Sequence, residues 1–239
     1  MRASLFIPCL TDQFFPEVGV ATARLLKKFG ASVEYPVGQT CCGQPAFNSG
    51  YHADAEALAE KFLKLFSSAE YIVAPSGSCV SMVRVFYDYL DLPEGVRQSL
   101  AEVKAKIFEL SEFLVDVLHV EKTGAVFPHT VTYHDSCHLL RELHVGEAPR
   151  QLIRNVGGIR LADLPDSTRC CGFGGTFAVK FPEISVAMGE EKVKAIEATG
   201  AEYVVAGDSS CLMQIEGLLQ RRNMKAKTMH IAQLLVQGW

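Results

Sequence analysis

Between Glu17 and Phe29, apolar Val18, Ala21, Leu25 and Phe29 recur at helical spacing, and Gly30 follows as a stop. Strand-like runs flank this helix: residues 3–8 read ASLFIP and residues 31–37 read ASVEYPV. Beyond Asn48-Ser49-Gly50 a second amphipathic helix lines up Leu58, Phe62, Leu65 and Phe66, a stripe that belongs in a core. The apolar run 71–75 (YIVAP) is a third strand. It leads through Ser76-Gly77-Ser78-Cys79 into a helix running to about Tyr89. Strand and helix therefore alternate, the pattern of a parallel sheet with helices on its faces. Residues 91–95 interrupt the alternation, and helical segments are expected from about Gln98 to Leu118.

The same plan then repeats. Thr130 to Tyr133 reads as a strand ending near His134-Asp135-Ser136-Cys137, and a helix over about Pro149 to Asn155 ends at Gly157-Gly158. A strand from Ile159 to Leu164, a helix from Pro182 to Thr199 and a strand from Tyr203 to Ala206 follow. Asp208-Ser209-Ser210-Cys211 turns into a helix from Leu212 to Arg221, and residues 225–229 and a short helix from Ile231 to Val236 close the chain. Residues 121–128, with Gly124 and Pro128 and no strong periodicity, read as a linker. The predicted architecture is α/β: two pseudo-symmetric Rossmann-like repeats, residues 1–125 and 126–239, each a parallel sheet flanked by helices.

Composition narrows the function classes. The 239 residues carry 23 basic and 27 acidic side chains, a formal charge of −4, with no block of one sign. That leaves no electrostatic footprint for nucleic acid or an anionic membrane surface. No apolar run approaches the roughly 20 residues that span a bilayer. The opening MRASLFIPCL is followed by Thr-Asp-Gln and has no small-residue cleavage site, so it reads as a first strand and not a signal peptide. A cytoplasmic protein is expected.

The eight cysteines change the picture most. Cys41-Cys42-Gly43 and Cys170-Cys171-Gly172 are two adjacent pairs, each followed by glycine. Cys9 and Cys79 flank the first pair much as Cys137 and Cys211 flank the second, and no cysteine is left over. This is a duplicated four-thiol site, and both halves place their cysteines just after strand ends, the edge where open α/β sheets bind ligands. A chain long enough to bury its own core does not need disulfide staples, and in a reducing compartment such clusters ligate metal or do redox chemistry.

Two metal chemistries suit four thiolates: an iron–sulfur cluster and tetrahedral zinc. Structural zinc favours C-x2-C knuckles, and the sequence has none. Adjacent residues of an extended chain point apart, which suits different irons of one cluster better than a single ion. The glycine after each pair lets the backbone approach inorganic sulfide and donate N–H bonds to it. The close C-x2-C-x2-C spacing of ordinary ferredoxins is also absent.

The repeated arrangement C…CCG…C resembles the cysteine-rich CCG domain found in heterodisulfide reductase and in iron–sulfur subunits of glycolate oxidase and anaerobic glycerol-3-phosphate dehydrogenase. A chain of two such domains carrying CCGQPAFNSG and CCGFGG resembles the lactate utilisation protein A family over essentially its whole length. The resemblance implies an iron–sulfur oxidoreductase subunit acting in the oxidation of L-lactate to pyruvate. It would work with a ferredoxin-type iron–sulfur subunit and a third small subunit. It implies a [4Fe-4S] or non-cubane cluster in each half, on Cys9, Cys41, Cys42 and Cys79 and on Cys137, Cys170, Cys171 and Cys211. A zinc-binding or metal-free scaffold and a thiol/disulfide enzyme are the alternatives. The heterodisulfide reductase pattern ends in C-x-x-C, and the matching first position is Ser76 in one half and Asp208 in the other. Asp208 is expected as a solvated acidic turn or helix cap ahead of an iron ligand.

His134 and His138 flank Asp135 and Cys137 as candidates for tuning a centre or moving a proton. The first repeat has Pro8-Cys9-Leu10 there and no histidine, which marks the second half as the more chemical one. Arg141, Arg150, Arg154 and Arg169 are candidate carboxylate clamps, with a solvated surface as the competing expectation. His144 belongs to the surface. Gly172-Phe173-Gly174-Gly175 reads as a loop wrapping a cluster, not a phosphate cradle. Trp239 either docks a partner or packs on its own chain.

Overall fold

The structure, a computed structural model, describes residues 1–239. It contains two four-stranded, all-parallel sheets. The first is built from β1 (Arg2–Leu5), β2 (Ser32–Glu34), β3 (Tyr71–Ala74) and β4 (Ile107–Glu109), in the order β2-β1-β3-β4. The second is built from β5 (Thr130–Tyr133), β6 (Arg160–Ala162), β7 (Tyr203–Ala206) and β8 (Lys227–His230), in the order β6-β5-β7-β8. The topologies match, and so do the registers: Leu5 pairs with Val73 as Tyr133 pairs with Val205. The parallel α/β expectation holds.

Helices cover the sheets as the apolar spacing requires. Pro16–Lys28 buries Val18, Ala21, Leu25 and Leu26, and His52–Phe66 buries Ala55, Ala59, Phe62, Leu63 and Phe66. In that second helix the inward stripe is centred on the two alanines, so Leu58 and Leu65 are only half-buried. Small side chains let the helix lie close to β1, where Phe6 packs edge-on against Phe62 at 4.9 Å.

The stretch expected to be helical from Gln98 to Leu118 is corrected. A helix over Glu94–Lys106 gives way to β4, followed by a helical turn over Leu110–Glu112 and a wide turn over Phe113–Val117. Ile107 and Glu109 are both fully buried, so β4 carries a polar residue where an inner strand normally carries an apolar one. That disguises it among helical neighbours.

The largest apolar cluster, 25 buried residues, is shared between the repeats, running from Ala3, Leu5 and Val18 to Val131, Tyr133, Leu152 and Ile231. Ala125 and Phe127, in the connection over residues 121–128, are buried in it. At Gly77 an added Cβ would lie 2.6 Å from the Leu139 side chain, so glycine alone admits this approach of the two halves. Trp239 folds back on its own chain, with Lys28 Nζ 3.6 Å above its ring.

Candidate metal centre

Three strands of each sheet deliver the cysteines from their C-terminal ends. Cys9 opens the helix Cys9–Phe14 after β1, and Cys137 opens Cys137–Arg141 after β5. Cys79 and Cys211 lie in the first turns of Gly77–Arg84 and Ser209–Arg221, after β3 and β7. The adjacent pairs sit in the loops that follow β2 and β6. All eight are free thiols and all eight line one cavity of about 360 Å³ between the halves. The duplicated motif has thus become one composite site.

The loops are held in place by backbone and side-chain bonds that sequence patterns do not announce. Gly43 and Gly172 have φ of 89° and 88°, and each donates its N–H to the sulfur two residues earlier, Cys41 and Cys170, at 3.4 Å. The Tyr87 hydroxyl donates to the Cys42 carbonyl at 2.9 Å, and Ser185 Oγ donates to the Gly172 carbonyl at 2.7 Å. Lys192, fully buried, donates to the carbonyls of Asp166 and Ser167 and so fixes the approach to Cys170. Gln39 performs the matching task in the first half, accepting from Ile7 N–H and donating to the Leu5 and Pro36 carbonyls.

Each quartet is a continuous chain of thiols, with Cys42 Sγ and Cys79 Sγ 3.5 Å apart in the first. Hydrogen bonds from Cys42 and Cys9, with the Gly43 amide, hold the Cys41 thiol far below the ordinary thiol range. In the second half, bonds from Cys137 and Cys171, with the Gly172 amide, do the same for Cys170. The Cys171 thiol, with His134 and Ser136 alongside, holds Cys211 well below that range too. Their donating neighbours are pushed up: Cys9 and Cys42 in one half, Cys137 and Cys171 in the other. The thiols held low, Cys41 in the first half and Cys170 and Cys211 in the second, are the ones readiest to bind a cation, since the thiolate is the ligating form.

The expectation for Asp208 as a solvated turn is corrected. Its carboxylate is buried and accepts from Ser76 Oγ at 2.6 Å, Ser78 Oγ at 2.9 Å and the Ser78 amide at 3.3 Å. It caps a helix of the opposite half, not its own. Burial, and then the neighbouring Cys211, push the carboxyl up to about 6 against these donors. A third cross-half contact, Thr11 Oγ1 to Ser209 Oγ at 3.2 Å, lies beside it.

The two histidines part company. His138 lines the cavity, half-buried, with Nδ1 3.3 Å from Glu142 Oε2 and its ring edge-on to Phe86. His134 is fully buried at the end of β5, and neither ring nitrogen makes a regular hydrogen bond; the polar group it faces is the Cys211 sulfur. A ligand atom of His134 lies within 4.8 Å of the sulfurs of Cys171 and Cys211. Ser136 Oγ, beside it, is also buried and makes no regular hydrogen bond. A buried polar atom without a partner costs about 1–3 kcal/mol, so this corner fits a group that binds it.

None of the four candidate arginines lines the cysteine cavity. Arg150 makes a bidentate pair with Asp135 at 2.5 and 2.6 Å, and burial of Asp135 is more than offset by that guanidinium, which leaves its carboxyl below the usual range. Arg141 donates to the Thr168 carbonyl, Arg154 pairs with Glu147, and Arg169 pairs with Asp166 and Glu191. His144 is exposed.

Comparison with known proteins agrees with the geometry. The family model of the cysteine-rich CCG domain matches twice, over residues 3–84 and 131–216. Lactate utilization protein A of Exiguobacterium sp. is 48% identical across 99% of this chain and 98% of its own, and that of Halalkalibacterium halodurans is 48% identical across 98% and 96%. The chain belongs to the lactate utilization protein A family. Its two repeats are the family's two cysteine-rich domains, and each supplies four of the thiols around the cavity. A hypothetical protein from Helicobacter pylori shares the fold with a TM-score of 0.65 at 12% identity, aligned over 98% of this chain and 48% of that one. No helix is long and apolar enough to cross a membrane.

Proposed function

We propose that this chain is an electron-carrying iron–sulfur subunit in the oxidation of L-lactate to pyruvate. The observation that supports a metal centre is the convergence of eight free thiols on one cavity, with a glycine N–H aimed at a sulfur in each motif. Cys9, Cys41, Cys42 and Cys79 would hold one centre, and Cys137, Cys170, Cys171 and Cys211 a second. The centres would supply one-electron transfer, and the chain would seat them and tune them through amide donors. The lactate assignment rests on full-length relatives that carry that name. A ferredoxin-type iron–sulfur subunit and a third small subunit fit such a system as partners.

A zinc-bound scaffold is the second reading. It is favoured by one observation, the mixed nitrogen and sulfur set of His134, Cys171 and Cys211, which zinc also accepts. A thiol/disulfide enzyme is less favoured, since Ser76 and Asp208 occupy the positions of a fifth thiol and are bonded to each other.

The deciding experiment is iron, sulfide and zinc per chain on anaerobically purified protein, with visible and EPR spectra. Roughly four or eight irons with equal sulfide would support the electron carrier. Stoichiometric zinc without sulfide would overturn it in favour of the scaffold.

A further inference from the structure

The two quartets share their cysteines and differ in what stands behind them. Phe6 and His134 are equivalent: each follows the central strand of its sheet, and each donates its backbone N–H to the neighbouring strand, to Val73 O at 3.0 Å and Val205 O at 2.9 Å. Two residues on, Pro8 corresponds to Ser136, immediately before the helix that each first cysteine opens. In the first half the pair is apolar and satisfied, with Phe6 stacked edge-on against Phe62 and Phe66. In the second half both residues are polar and buried, and neither makes a regular hydrogen bond; both face the Cys211 sulfur.

We propose that His134 gives an imidazole nitrogen to the metal centre of the second half, beside Cys171 and Cys211, so that the two halves hold inequivalent centres. The geometry already groups these three ligand atoms within 4.8 Å, and apart from the Cys211 sulfur that it faces, nothing in the protein offers the ring a partner. A fully buried histidine in this position is matched by phenylalanine in the other repeat, so packing alone does not call for a polar ring. The inference deepens the reading of the chain as a metal protein and rests on the second half binding a metal.

The choice of ligand has an electronic consequence. Imidazole binds as a neutral ligand where a cysteine at the same position would bring a thiolate, so a centre held by His134 would lie at higher potential than the same centre with cysteine there.

The test uses the full chain, reconstituted anaerobically with iron and sulfide, and compares natural-abundance protein with protein carrying ¹⁵N-histidine. Pulsed EPR on the reduced wild type is expected to show a directly bound histidine nitrogen that changes with the isotope, and X-ray absorption a nitrogen scatterer among sulfurs. His134→Phe, which copies the first repeat, should lose that coupling. His134→Cys should keep the centre, without the nitrogen coupling and with a lower midpoint potential than the wild type. A loaded wild type with no bound histidine nitrogen, or a coupling that survives in His134→Phe, overturns the proposal. The wild-type measurement stands even where a variant fails to fold. If the protein instead takes up zinc without sulfide, the electron-carrier reading fails, and the nitrogen scatterer at the zinc edge still decides His134. Protein that takes up neither metal overturns both.

Discussion

Asp208 Oδ1 lies 2.6 Å from Ser76 Oγ, across the boundary between the repeats, although the residues are 132 positions apart in sequence. They are also each other's counterparts, the residues that precede the third-strand helix in each half. The pair forms a polar lock between the halves, with Asp208 capping the helix that carries Cys79.

That lock predicts coupled stabilities. Asp208→Ala removes the acceptor shared by Ser76 Oγ, Ser78 Oγ and the Ser78 amide, leaving the two hydroxyls only each other, and is expected to cost about 2–3 kcal/mol, with Ser76→Ala nearer 1 kcal/mol. The double variant should cost less than the sum. Urea denaturation of the four proteins measures this, and additive losses would mean that the contact contributes nothing of its own.

Stability should depend on pH through a second pair of counterparts, Glu109 at the end of β4 and His230 at the end of β8. Burial pushes Glu109 up from 4.5 to about 8, so its contribution is complete below pH 4.5 and is lost as pH rises through about 8. Burial lowers His230 from 6.5 to about 4, so its contribution is complete above 6.5 and is lost as pH falls through about 4. For Glu109 the loss is at most about 5 kcal/mol. The two slopes oppose each other below pH 6.5, so unfolding midpoints should fall between about pH 6.5 and 8 in the wild type and stay nearly flat over that range in Glu109→Gln; parallel profiles would sink the assignment.

The two motif glycines should not tolerate alanine equally. An added Cβ at Gly172 would sit 2.4 Å from the Ser185 carbonyl oxygen, and at Gly43 3.3 Å from that of Ala55. Both carry the left-handed penalty of about 1–2 kcal/mol, but only Gly172→Ala must displace backbone. Thermal melting and metal uptake should therefore suffer far more in Gly172→Ala than in Gly43→Ala.

Cys171→Ser should abolish metal uptake in the second half while leaving the first half loaded, which halves the visible absorption per chain. A spectrum identical to that of the wild type would remove Cys171 from the ligand set.

Much of this was legible along the chain because it is local. Thr130–Tyr133, Pro182–Thr199 and Tyr203–Ala206 coincide with the expected elements, since their apolar periodicity and bounding Gly and Pro residues act over a few positions. β4 was hidden for the same reason in reverse: its buried Glu109 reads as a surface residue until the cap it forms for Ser111 and Glu112 is seen.

The sequence by itself determined the two α/β repeats, the four-thiol grouping in each and the special standing of the second half, because strand periodicity and motif spacing survive in one dimension. Only the tertiary structure decided that the two quartets share one cavity, that Asp208 caps the opposite half and that His134 is buried without a regular hydrogen bond while Arg150 is already spent on Asp135. The first two depend on how one sheet faces the other and the last two on packing within the second repeat, and in each case burial and pairing involve residues whose separation in sequence carries no signal.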